Sequence, residues 1–192
     1  TLRDKEGNPL KIVGVILDID RAKKSEQQLT TRASFDALTE LYNRETIESQ
    51  IDNEITLSEA RKSEMAVLFI DVDDFKHYND QYSHATGDQV LKFVARTIKG
   101  TVNEFGFAGR YGGDEFIALF RGVPSMGALE KRIDELRRGL SFPLPDGLSM
   151  SASIGIAAFP NDAADYTGLF RLADASMYAD KRHRDEDEMK GN

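Results

Sequence analysis

The sequence contains no cysteine and no tryptophan. Without thiols the chain has neither a disulfide framework nor a thiolate zinc site, which suits a cytoplasmic protein. Positive charge is also scarce, because 25 basic residues face 33 acidic ones and leave a formal net charge of -8. This balance argues against a nucleic acid or an anionic membrane as the main partner. A small anionic ligand would therefore need a metal ion or local lysines.

Long apolar runs are missing as well. The longest, which include IVGVIL and MAVLFI, have six residues each, whereas a bilayer span needs about 20. We therefore expect no direct membrane contact in this segment. The chain opens with TLRDKEG, without an initiating Met or an apolar secretory segment, so we interpret it as part of a longer protein. Membrane anchoring upstream of this segment stays open.

The first 34 residues differ in composition from the rest. Residues 1–20 contain a turn, DKEGNP, and an apolar strand from Ile12 to Leu17. A lone strand is not stable, so it either pairs with the following domain or ends a truncated upstream one. Residues 21–34 are polar and helix-favouring, which predicts a linker helix. The segment is too short to distinguish half of a two-stranded coil from a solvated connector.

From residue 35 onwards, hydrophobic spacing predicts alternating helices and strands. The pattern Ile47, Ile51 and Ile55 predicts a helix over 44–63, and MAVLFI predicts a buried strand that runs into Asp71. The later predicted elements are a helix near Asp74, a helix with Val90, Leu91, Val94 and Ile98, two strands around Gly112, a helix with Leu129, Ile133, Leu136 and Leu140 capped by Ser125, the strand MSASIGIAAF, and a helix from about Asp165 through Met177. This order predicts an α+β fold with a mixed sheet covered by helices, and a charged tail at 185–192 that frays.

One acidic cluster, DVDDFKHYND, begins where the predicted strand ends. Asp71 and Asp73 would share a face of that strand, and carboxylates so close repel unless a cation or a proton lies between them. Oxygen ligands without His or Cys favour Mg²⁺ or Ca²⁺. An EF-hand loop is excluded, because Phe75 and Lys76 take the places of its oxygen ligand and its glycine. Alternatively, Asp73 and Asp74 cap the following helix.

A second acidic cluster lies in RYGGDEF, residues 110–116. Its two glycines permit a tight turn with positive φ, and its acids are Asp114 and Glu115. Many surface hairpins have a similar composition. If the strand ending at Asp71 lies beside this hairpin, three carboxylates converge on one edge of the sheet. They would hold Mg²⁺ bound to a triphosphate, while Lys76 and N–H groups at the start of the next helix meet the phosphates.

Five motifs together make a specific resemblance. In chain order they are DALTELYNR, DVDDFKHYNDQYSHATGD, RYGGDEF, SIGIA and ADASMYADK, and they resemble the GGDEF family of diguanylate cyclases. The resemblance implies a palm-like, mainly antiparallel nucleotidyl-cyclase fold for residues 35–184. It also implies condensation of two GTP into cyclic di-GMP by a homodimer. Residues 1–20 separately resemble the end of a PAS sensor domain, with 21–34 as its signalling helix.

The resemblance implies a role for each residue that matches a family motif. The carboxylates of Asp71 and Asp114 and the carbonyl of Val72 would hold Mg²⁺, with Mn²⁺ as a substitute. Asp114 would also be the base for the 3′-hydroxyl. Glu115 would support the metal site, and Lys76 would assist catalysis at the phosphates.

The same resemblance implies a nucleotide site. Asn79 and Asp88 would read the guanine edge, because a carboxylate accepts from N1–H and the 2-amino group, both of which adenine lacks. The positions implied to surround the triphosphate are Gly112, Gly113, Asp74, Phe75, Lys76 and Lys181.

Some positions depart from the family pattern. Residues 103–106 read NEFG in place of the RxxD product site, which predicts weak or absent product inhibition there. Glu40 and Ser83 replace glycines, which matters if positive φ is required. The position of a phosphate-facing arginine falls on Asp185, and Arg184 is the candidate substitute. These departures leave a catalytically silent regulatory module as the alternative function.

Overall fold

The computed structural model describes residues 3–8, 34–122, 126–143 and 149–191. The chain divides into two units, Thr1–Ala33 and Ser34–Asn192. In the first unit the described residues form a turn, in which Asp4 Oδ1 accepts from the N–H groups of Glu6 and Asn8 at 2.9 Å. The predicted strand from Ile12 to Leu17, the linker helix up to residue 33 and the predicted cap Ser125 lie outside the described residues.

The second unit contains the elements that the hydrophobic spacing predicts, together with a short strand, Phe142–Pro143, that it does not predict. They are α1 Arg44–Arg61, β1 Met65–Val72, α2 Phe75–Gln81, α3 His84–Val102, β2 Gly106–Gly112, β3 Glu115–Arg121, α4 Met126–Leu140, β4 Phe142–Pro143, β5 Ser149–Met150, β6 Ala152–Phe159 and α5 Tyr166–Gly191. A 3₁₀ turn, Asn103–Phe105, joins α3 to β2. Among the described helices, none combines the length and the apolar character that crossing a bilayer requires.

Three details differ from the sequence predictions. Helix α1 ends before residue 63, because Lys62 adopts a left-handed conformation with φ 53 and donates to the carbonyls of Glu59 and Ser58. The segment MSASIGIAAF is interrupted at Ser151, so that only its first residue, Met150, belongs to β5, which pairs with β4. The charged tail does not fray but continues α5 to Gly191, in keeping with its content of helix-favouring residues.

The main sheet has the strand order β2-β3-β1-β6. Each neighbouring pair is antiparallel, which agrees with the palm-like, mainly antiparallel fold. Strand β1 is central and buried along its whole length, which explains why its sequence is a continuous apolar run and not an alternating one. The sheet therefore carries helices on both faces.

Alternate residues of β1 contribute to two separate hydrophobic clusters. Ala66, Leu68 and Ile70 pack with α3 and α4, whereas Val67 and Phe69 pack with α1 and α5. The predicted stripes of α1, α3 and α4 are buried in these clusters, as expected for amphipathic helices. Because side chains alternate along a strand, Asp71 shares the face of Phe69 and points to the side covered by α1 and α5.

Candidate active site

The two acidic clusters of the sequence meet where β1 and β3 lie side by side. Asp71 and Glu115 are direct cross-strand partners, so their side chains share one face of the sheet. The backbone N–H of Val72 donates to the carbonyl of Asp114 at 3.2 Å. The turn between β2 and β3 uses the freedom of glycine at Gly113, whose φ is +37. The structure thus brings the three predicted carboxylates, Asp71, Asp114 and Glu115, together where β1 ends and β3 begins. We call this end of the sheet the acidic edge.

The carboxylates at this edge repel one another. Burial raises the pKa of Asp71, with the charges of Asp114 and Asp73 adding to the rise, although the bond from Lys181 opposes it. Burial also raises the pKa of Glu115. The charges of Asp71 and Asp114 add to this rise, and so does the charge of Asp174 on α5. The sequence did not show that Asp174 is a neighbour of Glu115. A positive charge inserted here would relieve this repulsion.

Helix α5 supplies one such positive charge. Lys181 Nζ donates to Asp71 Oδ1 at 2.5 Å, and the lysine side chain is 33% exposed against 13% for the aspartate. Burial alone would lower the pKa of Lys181, but its bond with Asp71 and the charges of Asp73 and Asp114 raise it. The lysine predicted to meet phosphate is therefore bonded to a predicted metal ligand, and its phosphate role stays a prediction.

Asp73 is held by a different set of contacts. Ser151 Oγ and Ser153 Oγ donate to its two carboxylate oxygens at 2.5 and 2.6 Å, and Arg184 lies 3.2 Å away. Asp74 stands at the start of α2 but makes no capping bond through its side chain. The alternative that these two acids cap the helix through side-chain hydrogen bonds is therefore wrong. Arg184 reaches the same edge as Lys181, and its role as a substitute phosphate ligand stays a prediction.

Hydrogen bonds from Arg110 hold the turn that carries Asp114. The guanidinium of Arg110 donates to the carbonyl of Gly113 at 2.6 and 3.0 Å, and it also contacts Asp36 at 3.3 Å. Burial opposes ionisation of Asp36, but bonds from Thr39 and Arg110 hold the pKa of this carboxyl below its usual value. The ion pair between Asp36 and Arg110 thus joins two of the sequence motifs, DALTELYNR and RYGGDEF.

The predicted guanine readers lie on α2 and α3. The side-chain oxygen Asn79 Oδ1 is buried and has no hydrogen-bond partner among the described residues. Helix α3 approaches it at Gly87, where an added Cβ would lie 1.9 Å from this oxygen. Asp88, the next residue, is exposed. A buried amide oxygen without a partner fits a ligand that donates a hydrogen bond, as the guanine edge does.

Two substitutions for glycine have different consequences. Glu40 adopts φ 59, so the sequence departure at this position does place a side chain in the left-handed region. Ser83 has extended backbone with φ 161 and begins α3, where its Oγ accepts from the N–H of Thr86. The serine therefore needs no left-handed conformation and acts as a helix cap.

The backbone at the position of the family product site leaves no room for a side chain at residue 106. Gly106 packs so closely on β3 that an added Cβ would lie 1.7 Å from the carbonyl oxygen of Leu119. Asn103, at the other end of NEFG, has φ 37. An aspartate at position 106 would not fit this backbone, and weak or absent product inhibition at this site stays a prediction.

The oxygen donors at the β1–β3 edge fit Mg²⁺ only in part. Within the described residues, no group of three or more His, Cys, Asp and Glu side chains is arranged to hold a metal ion. Mg²⁺, however, is usually bound by one or two carboxylates together with substrate phosphates. The carboxylates of Asp71 and Asp114 and the carbonyl of Val72 fit such a shared site.

The antiparallel sheet, its helices and the acidic edge define a palm-like α+β fold of the nucleotidyl-cyclase type. The sequence model for the GGDEF family, "Diguanylate cyclase, GGDEF domain", matches residues 33–187. The chain therefore belongs to the GGDEF family, as its motifs predicted. This family contains nucleotidyl-cyclase-type enzymes. The PAS resemblance of residues 1–20 stays a prediction.

The chain is similar to several known proteins. It is 36% identical over 84% of its length to diguanylate cyclase TpbB of Pseudomonas aeruginosa, and 34% identical over 85% to cyclic di-GMP phosphodiesterase PdeR of Escherichia coli. It spans 38% and 25% of these two proteins. The coiled coil and GGDEF domain of DgcB from Caulobacter crescentus, solved in complex with c-di-GMP, has a TM-score of 0.78 at 27% identity. That similarity covers 86% of this chain and 89% of the DgcB chain.

Proposed function

We propose that residues 35–184 form a diguanylate cyclase domain, which condenses two GTP molecules into cyclic di-GMP and releases two pyrophosphates. The observation that carries this proposal is the strand register that pairs Asp71 with Glu115. Membership of the GGDEF family supports it, as does a relative named as a diguanylate cyclase.

In this proposal the acidic edge binds Mg²⁺, or Mn²⁺, through Asp71, Asp114 and the carbonyl of Val72. The metal, when bound, would neutralise charge on the phosphates and on the leaving pyrophosphate. Asp114 accepts the proton of the attacking 3′-hydroxyl, and Arg110 keeps the turn that carries it in place. Glu115 adds negative charge beside Asp71 and so supports the metal site.

The guanine base is bound between α2 and α3. Asn79 accepts a hydrogen bond from the base, which the unpartnered Oδ1 supports, and Asp88 accepts from N1–H and the 2-amino group. The first turn of α2 leaves backbone N–H groups without helical partners. The triphosphate is bound by side chains and backbone groups of Lys76, Lys181, Asp74, Phe75, Gly112 and Gly113.

Catalysis in this scheme needs two copies of the domain. One domain binds one GTP, so the attacking 3′-hydroxyl comes from the GTP on the partner. Two domains facing each other with two-fold symmetry satisfy this requirement, which makes a homodimer the active form.

The direct test incubates purified protein with GTP or ATP and Mg²⁺ and resolves the products by chromatography. We expect cyclic di-GMP and pyrophosphate from GTP but not from ATP. The Asp114→Ala variant should give no product. GTP binding without turnover would instead support a silent regulatory module, the alternative that Asp185 favours. A cyclic product from ATP would contradict the assigned guanine site.

We further propose that residues 1–34 act as a sensor end and signalling helix that sets how two domains meet. If they help to pair the domains, a chain without residues 1–32 will lose specific activity more steeply on dilution than the full chain. Specific activity is measured for both forms over a dilution series. Equal specific activity at every concentration would contradict this control.

A further inference from the structure

We propose that Lys181 is an exchangeable counter-ion of Asp71. It competes with a divalent cation for Asp71 Oδ1, and it transfers to the triphosphate when the cation takes its place. This inference rests on the proposed function, because the triphosphate and the metal are those of the proposed cyclase site. It adds a coupling between the two ligands that a purely phosphate-binding lysine would not provide.

The first observation is the nature of the Lys181–Asp71 contact. Nζ and Oδ1 are 2.5 Å apart, so a cation that binds Oδ1 has to displace the ammonium or share the oxygen with it. The lysine side chain is one-third exposed and carries its charge on a flexible four-carbon stem. Lys181 is therefore free to move to a neighbouring anion while its backbone stays in α5.

The second observation is the contrast with the neighbouring ion pairs. Asp73 keeps two serine hydroxyls if Arg184 moves away, and Asp180 keeps its bonds from Arg137 and from the N–H of Ile154. Both carboxylates therefore keep hydrogen-bond donors when Arg184 moves away. Among the described residues, by contrast, Lys181 alone donates to the carboxylate of Asp71.

The consequence is an exchange of partners at Asp71. A metal ion that binds Oδ1 without a triphosphate either displaces the bonded ammonium or shares the oxygen with it, and in both cases the two positive charges lie close together. A metal ion that arrives with a triphosphate offers the displaced ammonium a phosphate oxygen. Metal and triphosphate therefore bind cooperatively, and by linkage each raises the affinity for the other by the same factor.

The exchange predicts opposite effects of one substitution. Lys181→Gln removes the competing charge, so the variant should bind Mn²⁺ alone at least about tenfold more tightly than the wild type. The same variant should bind a non-hydrolysable GTP analogue with Mn²⁺ about tenfold more weakly, because it loses a charged hydrogen bond to phosphate. Free Mn²⁺ is measured by electron paramagnetic resonance, and the analogue by calorimetry.

Two further variants isolate the cause. Lys181→Arg keeps the charge and should bind Mn²⁺ alone as the wild type does. Arg182→Gln removes one positive charge from the same helix, at a residue whose guanidinium lies over the ring of Tyr178, and should leave both affinities within about twofold. Circular dichroism and thermal unfolding establish that each variant is folded before its affinities are compared.

Unchanged or weaker Mn²⁺ binding by folded Lys181→Gln would overturn the exchange, and so would equal tightening in Lys181→Gln and Lys181→Arg. The proposed function fails in a different way. A wild-type chain that forms no cyclic di-GMP and binds no GTP analogue contradicts the cyclase, whereas the comparison with Mn²⁺ alone still tests the competition at Asp71.

Discussion

Replacing Asp71 by asparagine is expected to lower the formation of cyclic di-GMP by at least about 10³-fold, or about 4 kcal/mol of transition-state stabilisation. Asparagine has nearly the same shape but no charge, so the acidic edge keeps its geometry and loses a metal ligand. The amide oxygen can still accept from Lys181, but it is the one neutral oxygen that asparagine offers a metal ion. Mn²⁺ affinity and turnover should therefore fall together.

Asp73→Asn is the matched control for this prediction, because Asp73 follows the end of β1 directly and lies two residues from Asp71. Asp73 bonds Ser151 and Ser153, so its substitution should lower the free energy of unfolding while leaving turnover within about tenfold. Turnover at saturating GTP and Mg²⁺ is measured for both variants together with thermal unfolding. Turnover of Asp71→Asn within tenfold of the wild type would remove Asp71 from the metal site.

Much of the fold was predictable because local patterns and tertiary packing agree. The stripe Ile47, Ile51 and Ile55 is fully or almost fully buried, and Asn43 caps the helix through a bond from the N–H of Thr46. The end of that helix was missed, because a single residue, Lys62, turns left-handed. No hydrophobic pattern encodes such a residue, and lysine is not the residue type that typically adopts it.

The interruption of MSASIGIAAF was not predictable from its composition. At Ser151 the carbonyl accepts from the N–H of Asp73 and the hydroxyl donates to its carboxylate. These contacts join residues 78 positions apart in the chain, so they depend on the completed sheet. Local β propensity has no information about such a partner, and the strand was therefore predicted to run without a break.

The candidate site shows the same division between local and long-range information. The pairing of Asp71 with Glu115 follows once two predicted strands are assumed to be neighbours. The bond between Asp71 and Lys181 spans 110 positions, and the motif carrying the lysine indicates a phosphate ligand only. Asp174 was missed for a similar reason, because its effect on Glu115 arises only when α5 packs across the sheet.

Gly155, in the SIGIA motif, fixes the distance between α5 and the sheet. An added Cβ at this position would lie 1.9 Å from the carbonyl oxygen of Ala173 and 2.1 Å from the backbone N of Met177. Both atoms belong to the backbone of α5, so no side-chain rotation relieves the clash. We therefore expect Gly155→Ala to lower the free energy of unfolding by about 3 kcal/mol or more, at the upper end of overpacking effects.

The measurement is urea unfolding of Gly155→Ala beside Gly100→Ala, a matched control on α3 where an added Cβ meets nothing within 4 Å. The control should be slightly more stable than the wild type, by about 0.5 to 1 kcal/mol, because alanine favours a helix over glycine. A loss below about 1 kcal/mol in Gly155→Ala would contradict the close approach. Since α5 also carries Lys181, a helix displaced by Gly155→Ala should weaken binding of a GTP analogue even where the protein remains folded.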